Sequence, residues 1–125
     1  MVCIRLWHQD LISKLPRQQL LGQHRECCAL RGLGWGKPHS VVNYVFKYSR
    51  ELLENYHKLI MDEMEKRGYK VESLWKFRGY RGKRITTPTG VPIPKVSNKV
   101  YAEHNAHYLK ECLENLKIKG ILLEV

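Results

Sequence analysis

Apolar residues recur with helical spacing in three stretches of the chain. In the clearest, Leu52, Leu53, Tyr56, Leu59, Ile60 and Met64 mark one face over about four turns. Ser49 precedes this face as a residue of the N-cap type, and Glu51 in the first turn opposes the helix dipole. Lys66 and Arg67 fill the last turn and Gly68 supplies the C-cap. The pattern predicts a helix over Ser49–Arg67 at the centre of the fold. A second stretch starts after Pro16, which suits a first helical turn because its missing N–H costs nothing there. Leu20, Leu21, His24, Cys28 and Arg31 follow at spacings of roughly three and four, and Gly32, Gly34 and Gly36 stop the helix. The third runs from about Glu103 to Lys119, with Ala106, Leu109, Cys112, Leu113 and Leu116 on one face and Gly120 at its end.

The segments between are less regular. HQDLISKL, residues 8–15, has room for one or two helical turns. SVVNYVFKY, residues 40–48, mixes β-branched and aromatic side chains, and its helical flanks make it a short buried helix in this reading. Residues 76–99 contain three prolines and three glycines, which argues against regular structure. The expected fold is mainly α: one compact domain over residues 1–125, built of about three longer helices joined by basic loops.

Composition narrows the function. A chain of 125 residues with 43% hydrophobic side chains can bury one modest core. Lys and Arg number 22 against 12 Asp and Glu, a formal net charge of +10. So basic a small protein attracts polyanions, nucleic acid first among them. No apolar run approaches the ~20 residues that span a bilayer. MVCIRLWHQD lacks a secretory apolar region, so a cytoplasmic protein is expected. Cys3, Cys27, Cys28 and Cys112 form no CxxC pair, which argues against a zinc site or a disulfide framework. Small buried apolar side chains is the simplest role for Cys28 and Cys112. His104 and His107 are spaced i, i+3 without a placed carboxylate or cysteine partner, so surface or capping roles are expected. No metal or cofactor is implied.

Three segments can carry chemistry. KFRGYRGKR, residues 76–84, holds five positive charges, among them Arg78, Arg81, Lys83 and Arg84, with Phe77 and Tyr80 interleaved. Such cations neutralise phosphates, and the aromatics can stack on a base or wedge a base step. The plainer reading is a solvated basic loop with its aromatics in the core. GLGWGKPHS adds Trp35, Lys37 and His39, with glycines that permit close backbone approach to a phosphate. Its pattern is not a Walker motif. HREC then places Glu26 beside His24 and Arg25, with Arg5 and Arg31 elsewhere in the basic set. A carboxylate on a DNA-binding surface repels phosphate, so it needs a reason. One is stabilisation of positive charge developing on a sugar. The other is a structural pair with Arg5 or Arg25.

These residues resemble the pyrimidine-dimer DNA glycosylase family, the small helical phage-type endonuclease V enzymes. LLGQHRE, residues 20–26, is similar to the family helix that carries an aromatic-Arg-Glu triplet. Arg5 matches an arginine near the family's N-terminus. NYVFKYSRELLENYHKLIMDEMEKRGYK, residues 43–70, resembles the long second helix, and VYAEHNAHYLKECLENLKIKG, residues 100–120, the third. RLWH with LPRQQLLGQHRECCALRG resembles an uncharacterised bacterial subgroup. The resemblance implies that an N-terminal α-amine attacks the sugar C1′ of a damaged nucleotide to form an imine, after which β-elimination nicks the strand. An α-amine pKa near ~8 leaves a usable neutral fraction for that attack. The essential Glu maps onto Glu26 and its adjacent Arg onto Arg25. The position just before the early arginine is Ile4, whereas the chain begins at Met1, or at Val2 once the initiator is removed. The family's aromatic C-terminal tail is replaced by ILLEV.

The expectation is therefore a DNA-repair glycosylase with AP-lyase activity on damaged pyrimidines, acting as a monomer on double-stranded DNA. Glu26, Arg25 and the amine of Met1 or Val2 form the expected catalytic set. Arg5, His24, Arg31, Trp35, Lys37, His39, Arg78, Tyr80, Arg81, Lys83 and Arg84 form the expected DNA-binding set. The alternative is a non-catalytic DNA- or RNA-binding module of the same fold.

Overall fold

The computed structural model describes residues 6–32, 48–82, 90–94 and 100–123. Three α-helices carry the fold: α1 (Arg17–Arg31), α2 (Arg50–Lys66) and α3 (Ala106–Ile118). Short 3₁₀ turns lie at Gln9–Lys14 and Ser73–Lys76. The mainly helical architecture read from the sequence is the one observed, with no strand beyond an isolated Phe77–Pro92 bridge among the described residues. The expected helix over residues 40–48 falls almost wholly outside them.

Local chemistry explains the helix limits. Pro16 takes the N-cap position of α1, and the Gly32 N–H closes its end on the carbonyls of Cys28 and Ala29. Ser49 takes the N-cap position of α2 without a side-chain cap bond. Gly68 follows α2 at φ 88°, a conformation open to glycine at no steric cost. α3 begins later than the apolar spacing suggests. Asn105 caps it by accepting from the Tyr108 N–H, while residues 101–104 turn instead to bury Tyr101 and His104.

The main core joins Leu20, Cys27 and Leu30 of α1 to Leu53, Tyr56, Ile60 and Met64 of α2 and to Cys112 and Leu116 of α3. Leu6, Trp7, Leu11, Ile12 and Leu15 close it from the N-terminal side. The Arg67 guanidinium donates to the carbonyls of Leu15 and Ser13, tying this N-terminal layer to the end of α2. The buried face of α1 is Leu20, Gln23, Cys27, Leu30 and Arg31. It is turned from the expected line through Leu21, His24 and Cys28, which are half-buried. Cys27 rather than Cys28 is therefore the apolar filler, alongside Cys112.

A second cluster of Met61, Trp75 and Tyr80 packs beside the first. The expected irregular segment is held here at its start. Arg78 N donates to Val91 O and Ile93 N donates to Lys76 O, and Ile93 is buried. No helix of the described residues is long and apolar enough to cross a membrane.

Candidate active site

Glu26 sits on α1, half-buried, in the wall of a cavity of about 280 Å³. Gln18, Gln19, Gly22 and Gln23 continue that wall along α1. Trp7 supplies a second side, and Asn115 and Lys119 at the end of α3 supply a third.

The carboxylate is oriented by a chain of polar contacts. Gln23 Nε2 donates to Glu26 Oε2 over 2.9 Å. The Gln23 amide is fixed in that sense because its Oε1 accepts from the Trp7 backbone N–H over 2.7 Å. The Tyr56 hydroxyl, from α2, lies 3.1 Å from the same Oε1 and donates to the Trp7 carbonyl. The Tyr108 hydroxyl, from α3, donates to the Leu6 carbonyl. Residues 6 and 7 are thus held by one side chain from each helix, and Glu26 is reached from them through a single glutamine. Gln23 is absent from the sequence-based site. Its signal was a polar residue three after Leu20 and four before Cys27, on the buried stripe itself.

On the next face of α1 lies a second titratable cluster. His24 Nδ1 is 2.7 Å from His57 Nε2 of α2, and Cys28 Sγ is 3.8 and 3.9 Å from the Nε2 atoms of His24 and His57. These donor atoms lie close enough to hold a metal ion. Arg31 decides the protonation. Its NH1 donates to His57 Nδ1 over 3.0 Å, and a guanidinium can only donate. His57 must then carry its proton on Nε2, the atom a metal would need, and donate it to His24 Nδ1. Burial, then the charges of Arg31 and His24, hold the His57 pKa well below its ordinary value. Burial, then Arg25 and Arg31, lower that of His24. The pair is accordingly neutral at neutral pH. Burial also pushes the Cys28 thiol up to about 12, so it remains protonated.

The structure separates the expected site residues. Glu26 lines the cavity; Arg25 is exposed and does not line it, although its NH2 comes within 3.7 Å of where a Gly22 Cβ would stand. His24 faces His57 rather than open solvent. Four of the expected DNA contacts pack against or bind other groups of the protein. Arg31 is 1% exposed, its guanidinium donating to the carbonyls of Trp75 and Phe77. Tyr80 packs edge-on against Trp75. Arg81 donates to the carbonyls of Arg31 and Gly32 at the end of α1. Arg78 binds Glu54, Asn55 and the Glu51 carbonyl. Backbone carbonyls, the Glu54 carboxylate and the Asn55 amide oxygen take some of the donors that the charge count offered to phosphates. Met1, Val2, Arg5, Trp35, Lys37, His39, Lys83 and Arg84 lie outside the described residues. His107 is exposed as expected, whereas His104 is buried, its Nδ1 accepting from the Gln9 N–H.

Residues 4–77 match the family model described as pyrimidine dimer DNA glycosylase. The chain belongs to the pyrimidine dimer DNA glycosylase family. The match covers α1, α2 and the Ser73–Lys76 turn, and it ends before α3. Neither the curated proteins nor the solved structures contain a significant match. Family membership makes DNA the substrate class and places the chain among DNA-repair glycosylases. Within that frame Glu26 lies inside the matched region, as do Gln23 and Tyr56, whereas Tyr108, Asn115 and Lys119 lie beyond it.

Proposed function

We propose that the protein is a glycosylase with AP-lyase activity that acts on damaged pyrimidines in duplex DNA. The N-terminal α-amine is the nucleophile and Glu26 the assisting carboxylate. The observation that carries this reading is the locked contact between Glu26 and Gln23, which also fixes the backbone of Trp7. The chain's first described residues therefore pass beside Glu26, the carboxylate that lines this cavity.

In this mechanism the amine lone pair attacks C1′ of the damaged nucleotide. The bond from C1′ to the base nitrogen breaks and its electron pair leaves with the base. Opening of the sugar ring gives a protonated imine between C1′ and the amine. The imine acidifies the C2′ proton, whose removal expels the 3′ phosphate oxygen and nicks the strand. Glu26 stabilises the cationic sugar and imine and takes up protons in the elimination. Gln23 donates to its Oε2 and holds the carboxylate in place. Arg25, exposed and next to Glu26 in the sequence, binds a phosphate flanking the lesion in this mechanism.

Glu26→Gln is the test, because it removes the charge with little change of volume. Cleavage of a duplex with an abasic site should fall by ~10²-fold or more, while duplex binding persists. A variant that cleaves at the wild-type rate refutes the catalytic role. Borohydride should trap the wild-type adduct on the first residue of the mature chain, and an adduct on a lysine would assign a different nucleophile.

A further inference from the structure

We propose that His104 is a positioning residue for the N-terminal nucleophile, and that with Gln9 it forms a two-bond latch fixing the chain that leads to the amine. The inference rests on the reading of the amine above and adds which residues hold its approach.

The bonding of His104 is the first observation. The residue is fully buried in the turn that precedes α3, where an apolar side chain would pack with no polar atom to satisfy. What the histidine supplies is an acceptor. Its Nδ1 lies 3.2 Å from the Gln9 backbone nitrogen, and a backbone N–H can only donate. The neutral ring therefore carries its hydrogen on Nε2. Gln9 makes the return bond, its side-chain Oε1 accepting from the Val100 N–H over 2.9 Å. Each bond joins the backbone of one segment to a side chain of the other, across 95 and 91 residues of sequence. His8, next to Gln9, stacks on His104 with ring centroids 5.5 Å apart, and its Nδ1 accepts from the Asp10 N–H.

The neighbours of the ring are the second. Tyr108 stacks on His104 at 5.0 Å, and Tyr56 meets it edge-on at 5.6 Å. These two phenols donate to the carbonyls of Leu6 and Trp7. One imidazole thus supports both hydroxyl anchors and binds the backbone two residues beyond Trp7. Loss of its acceptor releases the Gln9 N–H and lets the supported rings shift with it. Attack at C1′ is sensitive to such a shift, since ~1 Å of misplacement costs up to ~10²-fold in rate. Attraction between the basic surface and the phosphates is not.

The experiment compares His104→Phe, which keeps a ring for the stack and removes the acceptor, with His104→Asn, which keeps an oxygen near the Nδ1 position. Each is assayed on an abasic duplex by the single-turnover rate of borohydride trapping. Affinity is measured on a duplex with a tetrahydrofuran abasic analogue, which forms no imine. Hydrogen exchange of the Gln9 amide, read by NMR, follows the latch directly. In His104→Phe the trapping rate should fall by roughly tenfold or more at unchanged affinity, and Gln9 should exchange faster. His104→Asn should recover most of the rate and of the Gln9 protection. A folded His104→Phe that traps at the wild-type rate overturns the positioning role. So does an equal loss of rate and affinity, the result of a merely structural role. An Asn variant that protects Gln9 yet traps as slowly as His104→Phe overturns it as well. If His104→Phe fails to fold, Gln9→Ala removes the Val100 bond from a half-buried side chain and decides by the same comparison of rate and affinity. Mapping the wild-type adduct separates this role from the reading on which it rests. An adduct on a lysine overturns the amine itself, whereas an adduct on the first residue with an unchanged rate in His104→Phe overturns the latch alone.

Discussion

Arg31→Met tests whether this arginine serves the fold or the DNA. The buried guanidinium donates to Trp75 O at 2.7 Å, to Phe77 O at 3.0 Å and to His57 Nδ1 at 3.0 Å, and stacks 5.0 Å from the Trp75 ring. Methionine keeps much of the length and none of the donors. Each buried acceptor left unsatisfied costs ~1–3 kcal/mol, and three around one side chain do not add independently. Glu54, 3.7 Å from Arg31, is not orphaned, because it keeps Arg78 at 3.2 Å and the Gly79 N–H at 2.8 Å. The loss should therefore sit near the lower end of the ~3–5 kcal/mol typical of a broken buried charge pair. For a chain of this size that is a fall of roughly 10–15 °C in thermal midpoint, read by circular dichroism. The same preparation should bind duplex DNA with an unchanged salt dependence at a temperature where it is folded. A phosphate contact would instead reduce the slope by about one on a log–log plot. A variant with a wild-type midpoint and a slope reduced by about one would refute the structural assignment.

Stability should also depend on His57 in a defined direction. Its folded-state pKa is lowered, so below pH ~6.5 the unfolded chain takes up a proton that the folded chain refuses. Urea midpoints should be level above that pH and decline beneath it, with His24 adding in the same sense, by at most ~1.4 kcal/mol per pH unit for each histidine. His57→Asn, whose amide oxygen can still accept from Arg31, should lose much of that slope, and an undiminished slope would place the proton uptake elsewhere. Asn105→Ala removes the cap bond to Tyr108 N and should cost ~1 kcal/mol in urea unfolding, and a neutral result would show that tertiary packing alone holds the start of α3.

Local signals made the helices legible. The apolar stripe of α2 and the positive-φ Gly68 and Gly120 after α2 and α3 are properties of neighbouring residues, and the sequence carries them directly. The pairing of Arg31, Arg78 and Arg81 with acceptors of the protein itself is different in kind, and of the three only Arg31 is buried. An arginine that will meet a carbonyl cannot be told from one that will meet a phosphate by counting charges, because both acceptors are oxygens and only the fold brings the first within reach. The same holds for Glu26 and Gln23. The carboxylate could be picked from its charged neighbours and its match to the family triplet. The glutamine that orients it could not, since its partners Trp7 and Tyr56 lie 16 and 33 residues away.

On the mechanism proposed above, that glutamine bears on how a chain terminus serves as a nucleophile. A flexible amine would lose the advantage of a pre-oriented attack, which is worth several kcal/mol of barrier. Here the backbone at residues 6 and 7 is fixed by Gln23 from α1, Tyr56 from α2 and Tyr108 from α3. Each anchor comes from a different helix, so no single helix sets the position and all three must pack for it to exist. The family match ends at residue 77, yet Tyr108, Asn115 and Lys119 of the third helix complete the clamp and the cavity. The residues after the match are therefore part of the candidate site. Loosening α3 should reduce strand cleavage before it reduces nonspecific duplex binding, since charge attraction tolerates a displaced terminus and attack at C1′ does not.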